Sequence, residues 1–357
     1  MAAGGERLGQ LDGLRALSVV AVLLWHFVPA SAAILPWGPL GVRLFFVLSG
    51  FFTTGILLRC RDLAHDGRAR VPFLLRQFYA RRALRIVPTY YLALAVAALV
   101  DLPPTRATLA WHLAYATNIY VTWTETWPGP LAHVWFLGAQ EQFYLLWPAL
   151  VLLLPRRRLP AVMWGLVLVS PLFRVTCRVL GLWWWLGQYV LLPAAFDGLV
   201  LGGLLALVHA GGRPARTPLD ARAAGWCAAL LVATGQVLRV WWPQGVAAGL
   251  SDTCDAFAFT WLVHRGILGV PGLAGRALAW GPLRWLGRVS YGVYVYHPFV
   301  LAALPAATAA LGVAAPSGVL RFAVLTAVTL LVSAVSWYAI EEPINAYRRH
   351  FPFVPSA

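Results

Sequence analysis

Apolar runs of roughly 20 residues, the length a helix needs to cross a bilayer's hydrocarbon core, recur along this chain. Short segments separate them, and arginine is the dominant charge in those segments. Only 11% of the residues are charged and 60% are hydrophobic, against about a quarter and a little under half in soluble domains. Charge this sparse cannot cover a water-facing surface. The expected class is all-α, a polytopic membrane protein. Disorder and a collagen-like fibre are excluded, because apolar runs dominate and the 32 Gly and 25 Pro keep no period. The four cysteines, Cys60, Cys177, Cys227 and Cys254, lie far apart, so neither a disulfide scaffold nor a metal site is expected.

About ten spans are expected: 11–28, 40–58, 86–100, 135–154, 161–180, 190–207, 223–240, 250–263, 286–304 and 320–340. All of residues 1–357 read as one membrane-embedded unit, with no extra soluble domain. All 28 basic residues are Arg, and the net charge is +15. With both termini inside, Arg7, the cluster from Arg59 to Arg82, Arg156 to Arg158, Arg213, Arg216, Arg222, Arg265, Arg276, Arg284, Arg288, Arg348 and Arg349 fall on the cytoplasmic side. Arg106 is the clearest exception, with Arg178 and Arg239 near span ends. Topology therefore accounts for the basic charge, and no nucleic-acid partner is expected. The Ala30-Ser31-Ala32 triplet imitates a signal-peptide cleavage site. Asp12, Arg15 and His26 would not belong in a signal core, so an uncleaved first span is expected.

Ionisable groups inside a span are expensive and mark pairing or function. Arg15 and His26 are eleven residues apart, nearly a whole number of turns, so they share one face at roughly 16 Å along the axis. Asp12 falls on almost the same stripe. In the ninth span Ser290, Tyr294 and His297 share a face, with His297 at a depth comparable to His26. Ser49-Gly50 puts a small pair in mid-membrane, which also suits helix packing. Arg82 and Arg85, about a turn apart, suit phosphate contacts as well as positive-inside anchoring. Gln140-Glu141-Gln142 is a polar trio inside an aromatic run, and Glu341-Glu342-Pro343 closes the last span.

Taken together, the chain resembles acyltransferase family 3. The resemblance rests on Leu11-Asp12-Gly13-Leu14-Arg15 with His26, on Phe45 to Phe51, on Arg82 to Pro88, on Trp135 to Tyr144, on Ser290-Tyr291 with His297, and on Glu341-Glu342-Pro343. It implies ten helices, acyl-CoA entering from the cytoplasm, and catalytic assignments for His26 and Arg15. It also implies a functional, donor-contacting Arg82 and Arg85. One departure stands out. The family pattern Trp-Ser-Leu-x-x-Glu reads here with Phe136 for Ser and Gln140 for Glu, and Glu141 sits about 100° around the helix.

Acyl transfer from a thioester to a hydroxyl needs a base, an oxyanion stabiliser and a phosphate anchor. His26 is expected as general base or as the site of a transient acyl-histidine, with Arg15 at the entry path. Asp12, Ser49, Gly50, Arg82, Arg85, Glu141, Tyr294, His297 and Glu341 complete the candidate donor- and acceptor-contacting set. No bound cofactor or metal is expected, and acyl-CoA, chiefly acetyl-CoA, is the donor substrate. The acceptor would be a hydroxyl of a glycan, lipid-linked sugar or secondary metabolite such as a macrolide. The expected location is a bacterial plasma membrane. A proton-coupled transporter or flippase using His26 and His297 is the alternative, and its usual internal repeat is not visible.

Overall fold

The computed structural model describes residues 2–181, 185–210, 217–220, 222–241 and 246–354. Arg213 and Arg216, counted above among the orienting arginines, lie outside the described residues, as does the side chain of Arg7. Among the described residues there is helix and turn but no strand. In chain order the helices are α1 (Ala2–Phe27), α2 (Trp37–His65), α3 (Val71–Leu99), α4 (Thr105–Leu113), α5 (Thr117–Thr124), α6 (Trp135–Leu153), α7 (Leu159–Val179) and α8 (Gly187–Val190). They continue as α9 (Phe196–Ala210), α10 (Arg222–Trp241), α11 (Ser251–Leu268), α12 (Gly272–Leu278), α13 (Gly281–Leu311), α14 (Gly318–Ser336) and α15 (Glu342–Ala346). A π-helical turn, Trp337–Glu341, joins the last two.

Every expected span coincides with a helix. Seven of these, carried by α2, α3, α7, α9, α10, α13 and α14, are long and apolar enough to cross a membrane. The other three, α1, α6 and α11, carry Asp12, Arg15 and His26, the Gln140–Gln142 trio, and Asp252 and Asp255. Four helices run well past the expected limits, α1 beginning at Ala2 instead of 11 and α2 ending at His65 instead of 58. Helix α3 extends back from Ile86 to Val71 because its arginine-rich first half continues the helix outside the apolar run. Helix α13 reaches Leu311 despite Pro298 and Pro305.

Small residues set the closest helix contacts. A Cβ on Gly50 of α2 would lie 1.7 Å from the Leu199 carbonyl oxygen of α9. One on Gly202 of α9 would lie 2.0 Å from the Val47 oxygen of α2. Only hydrogen fits there, as in membrane helices joined through small residues. Gly287 of α13 meets the Asp12 carbonyl of α1 in the same way, at 1.9 Å. On the other side a Cβ on Gly41 of α2 would lie 2.5 Å from the Ser18 carbonyl oxygen of α1. Helix α1 is thereby clasped between α2 and α13, which carries its C-terminal His26 to the middle of α13. The apolar core around it includes Leu23, Phe27, Phe46, Phe136, Val293 and Tyr294, all buried.

A second device is electrostatic. Asp197, buried in the first turn of α9, bonds Arg43 of α2 at 3.2 Å and Arg174 of α7 at 2.5 Å. Asp252 of α11 bonds Arg43 as well, and bonds Arg239 of α10 at 2.5 Å, while Asp255 takes Arg239 at 2.6 Å. Three guanidinium groups and three carboxylates thus tie five helices together away from water, where each charge would be costly alone.

Candidate active site

His26 stands near the end of α1, and its Nδ1 is 2.9 Å from the Val22 carbonyl oxygen one turn back. Nδ1 therefore carries the proton, and the lone pair sits on Nε2. His297 is arranged alike for a different reason. Pro298 has no N–H, which leaves the carbonyl of Tyr294 without its helical donor. His297 Nδ1 supplies the bond at 2.7 Å. Its Nε2 is buried without a hydrogen-bond partner among the described residues. The two imidazoles meet edge-on at 4.8 Å between ring centres. Helices α1 and α13 thus bring together two histidines that the spacing placed at one depth.

A third histidine joins them. His133, in the single-turn segment Gly129–Val134 before α6, has its ring centre 5.3 Å from that of His297. Its Nδ1 is 3.0 Å from the Pro130 oxygen and its Nε2 is 3.1 Å from the Val295 oxygen. The His133 carbonyl accepts the Tyr294 hydroxyl at 2.6 Å, fixing that ring too. Sequence reasoning passed over His133 because it precedes the apolar run. The signal was its place two residues before Trp135, at the mouth of a span.

Three cavities run in sequence through this region. The first, about 400 Å³, is a mouth lined by Arg59, Arg81, Arg82, Arg85 and Arg348. Arg82 and Arg85 also line the second, a narrow chamber of about 80 Å³, together with Arg15, Ser49, Phe136 and Gln140. Tyr294 lines both that chamber and the third cavity, about 650 Å³, where His26 and His133 are exposed. Between the chamber and the large cavity, the Tyr294 ring stands 5.2 Å from Phe136 and 6.4 Å from Phe45. Those two phenyl rings are 6.1 Å apart. An aromatic partition therefore separates the arginine side from the histidine side.

In the narrow chamber Arg15 makes only a loose ion contact with Asp12, 3.6 Å, and lies 4.4 Å over the ring of Phe52. Arg82 is held more firmly, 3.5 Å over the Tyr144 ring with Nη2 on Thr53 Oγ1 at 2.5 Å. Its Nε, and that of Arg348, are buried with no partner among the described residues. Such donors, in a cavity ringed by guanidinium groups, suit a polyanion. Gln140 donates to Ser49 Oγ, so the amide occupies the place where the family pattern has a carboxylate.

Five expected site residues line none of these cavities: Asp12, which pairs with Arg15, His297, which packs against His26, and Gly50, Glu141 and Glu341. Gly50 is spent on the contact with Leu199. Glu141 is not part of the chamber's lining, and one of its carboxylate oxygens is buried and unbonded among the described residues. Glu341 is buried in the π-helical turn, where it accepts from Ser336 at 3.1 Å. Conversely, Arg43, Asp197, Arg174, Asp252 and Asp255 lie within expected spans. The rule that singled out His26 would have found them: three acids and two of the arginines they bind. Among the described residues no three His, Cys, Asp or Glu side chains gather to hold a metal ion.

Comparison with known proteins adds three observations. The family model for the acyltransferase domain of the acyltransferase 3 class matches residues 8–338. A peptidoglycan O-acetyltransferase of Listeria monocytogenes is 28% identical over 379 residues, covering 96% of this chain and 56% of that protein. A putative peptidoglycan O-acetyltransferase of Bacillus subtilis is 29% identical over 373 residues, covering 94% of this chain and 54% of its own. The chain spans about half the length of these curated relatives. No solved structure matches.

Proposed function

The chain belongs to acyltransferase family 3, and on that footing we propose that it is a multi-pass membrane O-acetyltransferase. In this reading ten helices span a bacterial plasma membrane with both termini and the arginine mouth on the cytoplasmic side. Acetyl-CoA is the donor. The acceptor is a hydroxyl of a cell-surface glycan, consistent with the acceptor named for the Listeria relative. The carrying observation is the chain of cavities that leads from five arginines to the free Nε2 of His26.

The donor's phosphates meet Arg59, Arg81, Arg82, Arg85 and Arg348, whose buried Nε–H groups have no other acceptor among the described residues in two cases. The thioester reaches past Arg15 and Ser49 to the partition at Tyr294. His26 Nε2 takes the proton of the acceptor hydroxyl as its oxygen attacks the thioester carbonyl. The C–O bond forms, the C–S bond breaks, and the proton passes to the departing thiolate. Products are the O-acetyl ester and CoA thiol. His297, edge-on to His26, keeps the base in place.

Purified protein in lipid nanodiscs, given acetyl-CoA and a glycan acceptor, should release thiol. His26→Ala should lower that release by about 10²- to 10⁴-fold, the usual worth of a general base, with the melting temperature little changed. Full turnover in a folded His26→Ala protein would overturn the assignment. Proton-coupled uptake without thiol release would replace the enzyme reading by a transporter.

A further inference from the structure

The cavity of about 650 Å³ on the histidine side lies in the size range of small-molecule sites, about 300–1,000 Å³. Its walls differ in kind. One is aromatic, formed by Trp25, Trp127 and Trp135. Trp127 is 48% exposed at the rim. Trp25 is fixed deeper in, because a Cβ on Gly38 would lie only 2.6 Å from its Cγ. Another part of the lining is polar, formed by Arg43, Arg178, Arg239, Ser251 and Asp252. Asp252 is held by the guanidinium groups of Arg43 and Arg239, and those groups are held in turn by Asp197 and Asp255.

A charged cluster this deep is expensive, and structural purposes alone are served as well by apolar packing. Its open edge presents guanidinium N–H donors beside a carboxylate acceptor, rigidly spaced. That pattern matches a pyranose, whose ring offers apolar C–H faces and, around its edge, hydroxyls that both donate and accept. A lipid tail would offer no hydrogen-bonding group to the polar part of the lining. A free phosphate would make no use of the indoles.

We propose that this cavity is the acceptor site and binds a sugar ring of the glycan. The ring stacks on the Trp127 and Trp135 side, Arg43, Asp252 and Arg239 read its hydroxyls, and the reacting hydroxyl points at His26. The assignment rests on the reading of His26 as the transfer centre, because His26 opens into this same cavity.

Binding can be measured without chemistry. The full chain in lipid nanodiscs is titrated calorimetrically with chitotetraose in the absence of any acetyl donor. The wild type should bind, Trp127→Ala should weaken binding at least tenfold, and Asp62→Asn, at an exposed ion pair outside the cavity, should bind as the wild type does. Asp252→Asn should also weaken it. Trp127, at the rim, keeps the test decisive if the buried variant fails to fold. With acetyl-CoA present, Trp127→Ala should raise KM for the acceptor, leaving kcat and KM for the donor near wild type. Absence of chitotetraose binding, or binding indifferent to Trp127, overturns the sugar site and leaves the role of His26 standing. Trp127-dependent binding together with full thiol release by His26→Ala overturns the role of His26 and leaves the sugar site standing.

Discussion

Phe136 occupies the position where the family pattern carries serine, and it decides how much room the narrow chamber offers. Its ring is buried, 4.7 Å from Phe46 and 5.2 Å from Tyr294, and lines the chamber of about 80 Å³. A short acyl group is what such a space admits. Phe136→Ser should enlarge it and relax selection by chain length. Relative to acetyl-CoA, kcat/KM for butyryl-CoA should rise about 10-fold or more, since a single methylene in an apolar pocket is worth about 10- to 200-fold in selection. Thiol-release kinetics on the two donors check this, and an unchanged ratio would mean that the chamber does not gauge the acyl chain. At this scale much of the site was legible. Arg15, His26, Tyr294 and His297 all followed from ionisable or hydroxyl groups repeating on a helix face. His133 did not, because a residue in a one-turn segment belongs to no periodic face and its neighbours are set only by folding.

Helix by helix, the buried charge network separates two kinds of ion pair. Asp197 is fully buried and holds Arg43 and Arg174, so removing its charge strands two guanidinium groups away from water. Asp197→Asn should cost about 3–5 kcal/mol, the usual loss when one partner of a buried pair is removed. Asp62→Asn breaks a pair with Arg156 at 3.1 Å whose side chains are about half exposed, 52% and 51%. That change should cost at most about 1 kcal/mol. Thermal unfolding in detergent, followed by fluorescence-detected size exclusion, ranks the two. Equal losses would mean that the network does not brace α2, α7 and α9. The helices themselves were readable from the apolar runs, ends excepted. The short helices α4, α5, α8 and α12 were not, because they lack the length that makes a period visible.

On the scale of the whole molecule, the arginines and the cavities agree in direction. The five-arginine mouth lies at the end where α2 meets α3, and the cavity lined by His26 and His133 lies at the opposite end of α1. With the mouth cytoplasmic, a cysteine placed at Asp66 between α2 and α3 should resist a membrane-impermeant maleimide in intact cells and react after permeabilisation. One placed at Ala33 between α1 and α2 should react in intact cells. Both are made in a chain whose native cysteines, Cys60, Cys177, Cys227 and Cys254, are replaced by serine. The reverse pattern would invert the orientation and with it the direction of the proposed acetyl transfer.

The sequence by itself determined that this chain is helical and membrane-bound, and it placed His26 and His297 at one depth. Hydrophobic length and helical period are local properties that survive in one dimension. Only the tertiary structure decided that Gly50 packs against Leu199 and that Glu141 is left out of the chamber's lining. Only there do Arg43, Asp252 and Arg239 line one cavity with three indoles. Those outcomes depend on which helix lies beside which, and helix neighbours are chosen by small-residue contacts and buried ion pairs between segments far apart in the chain.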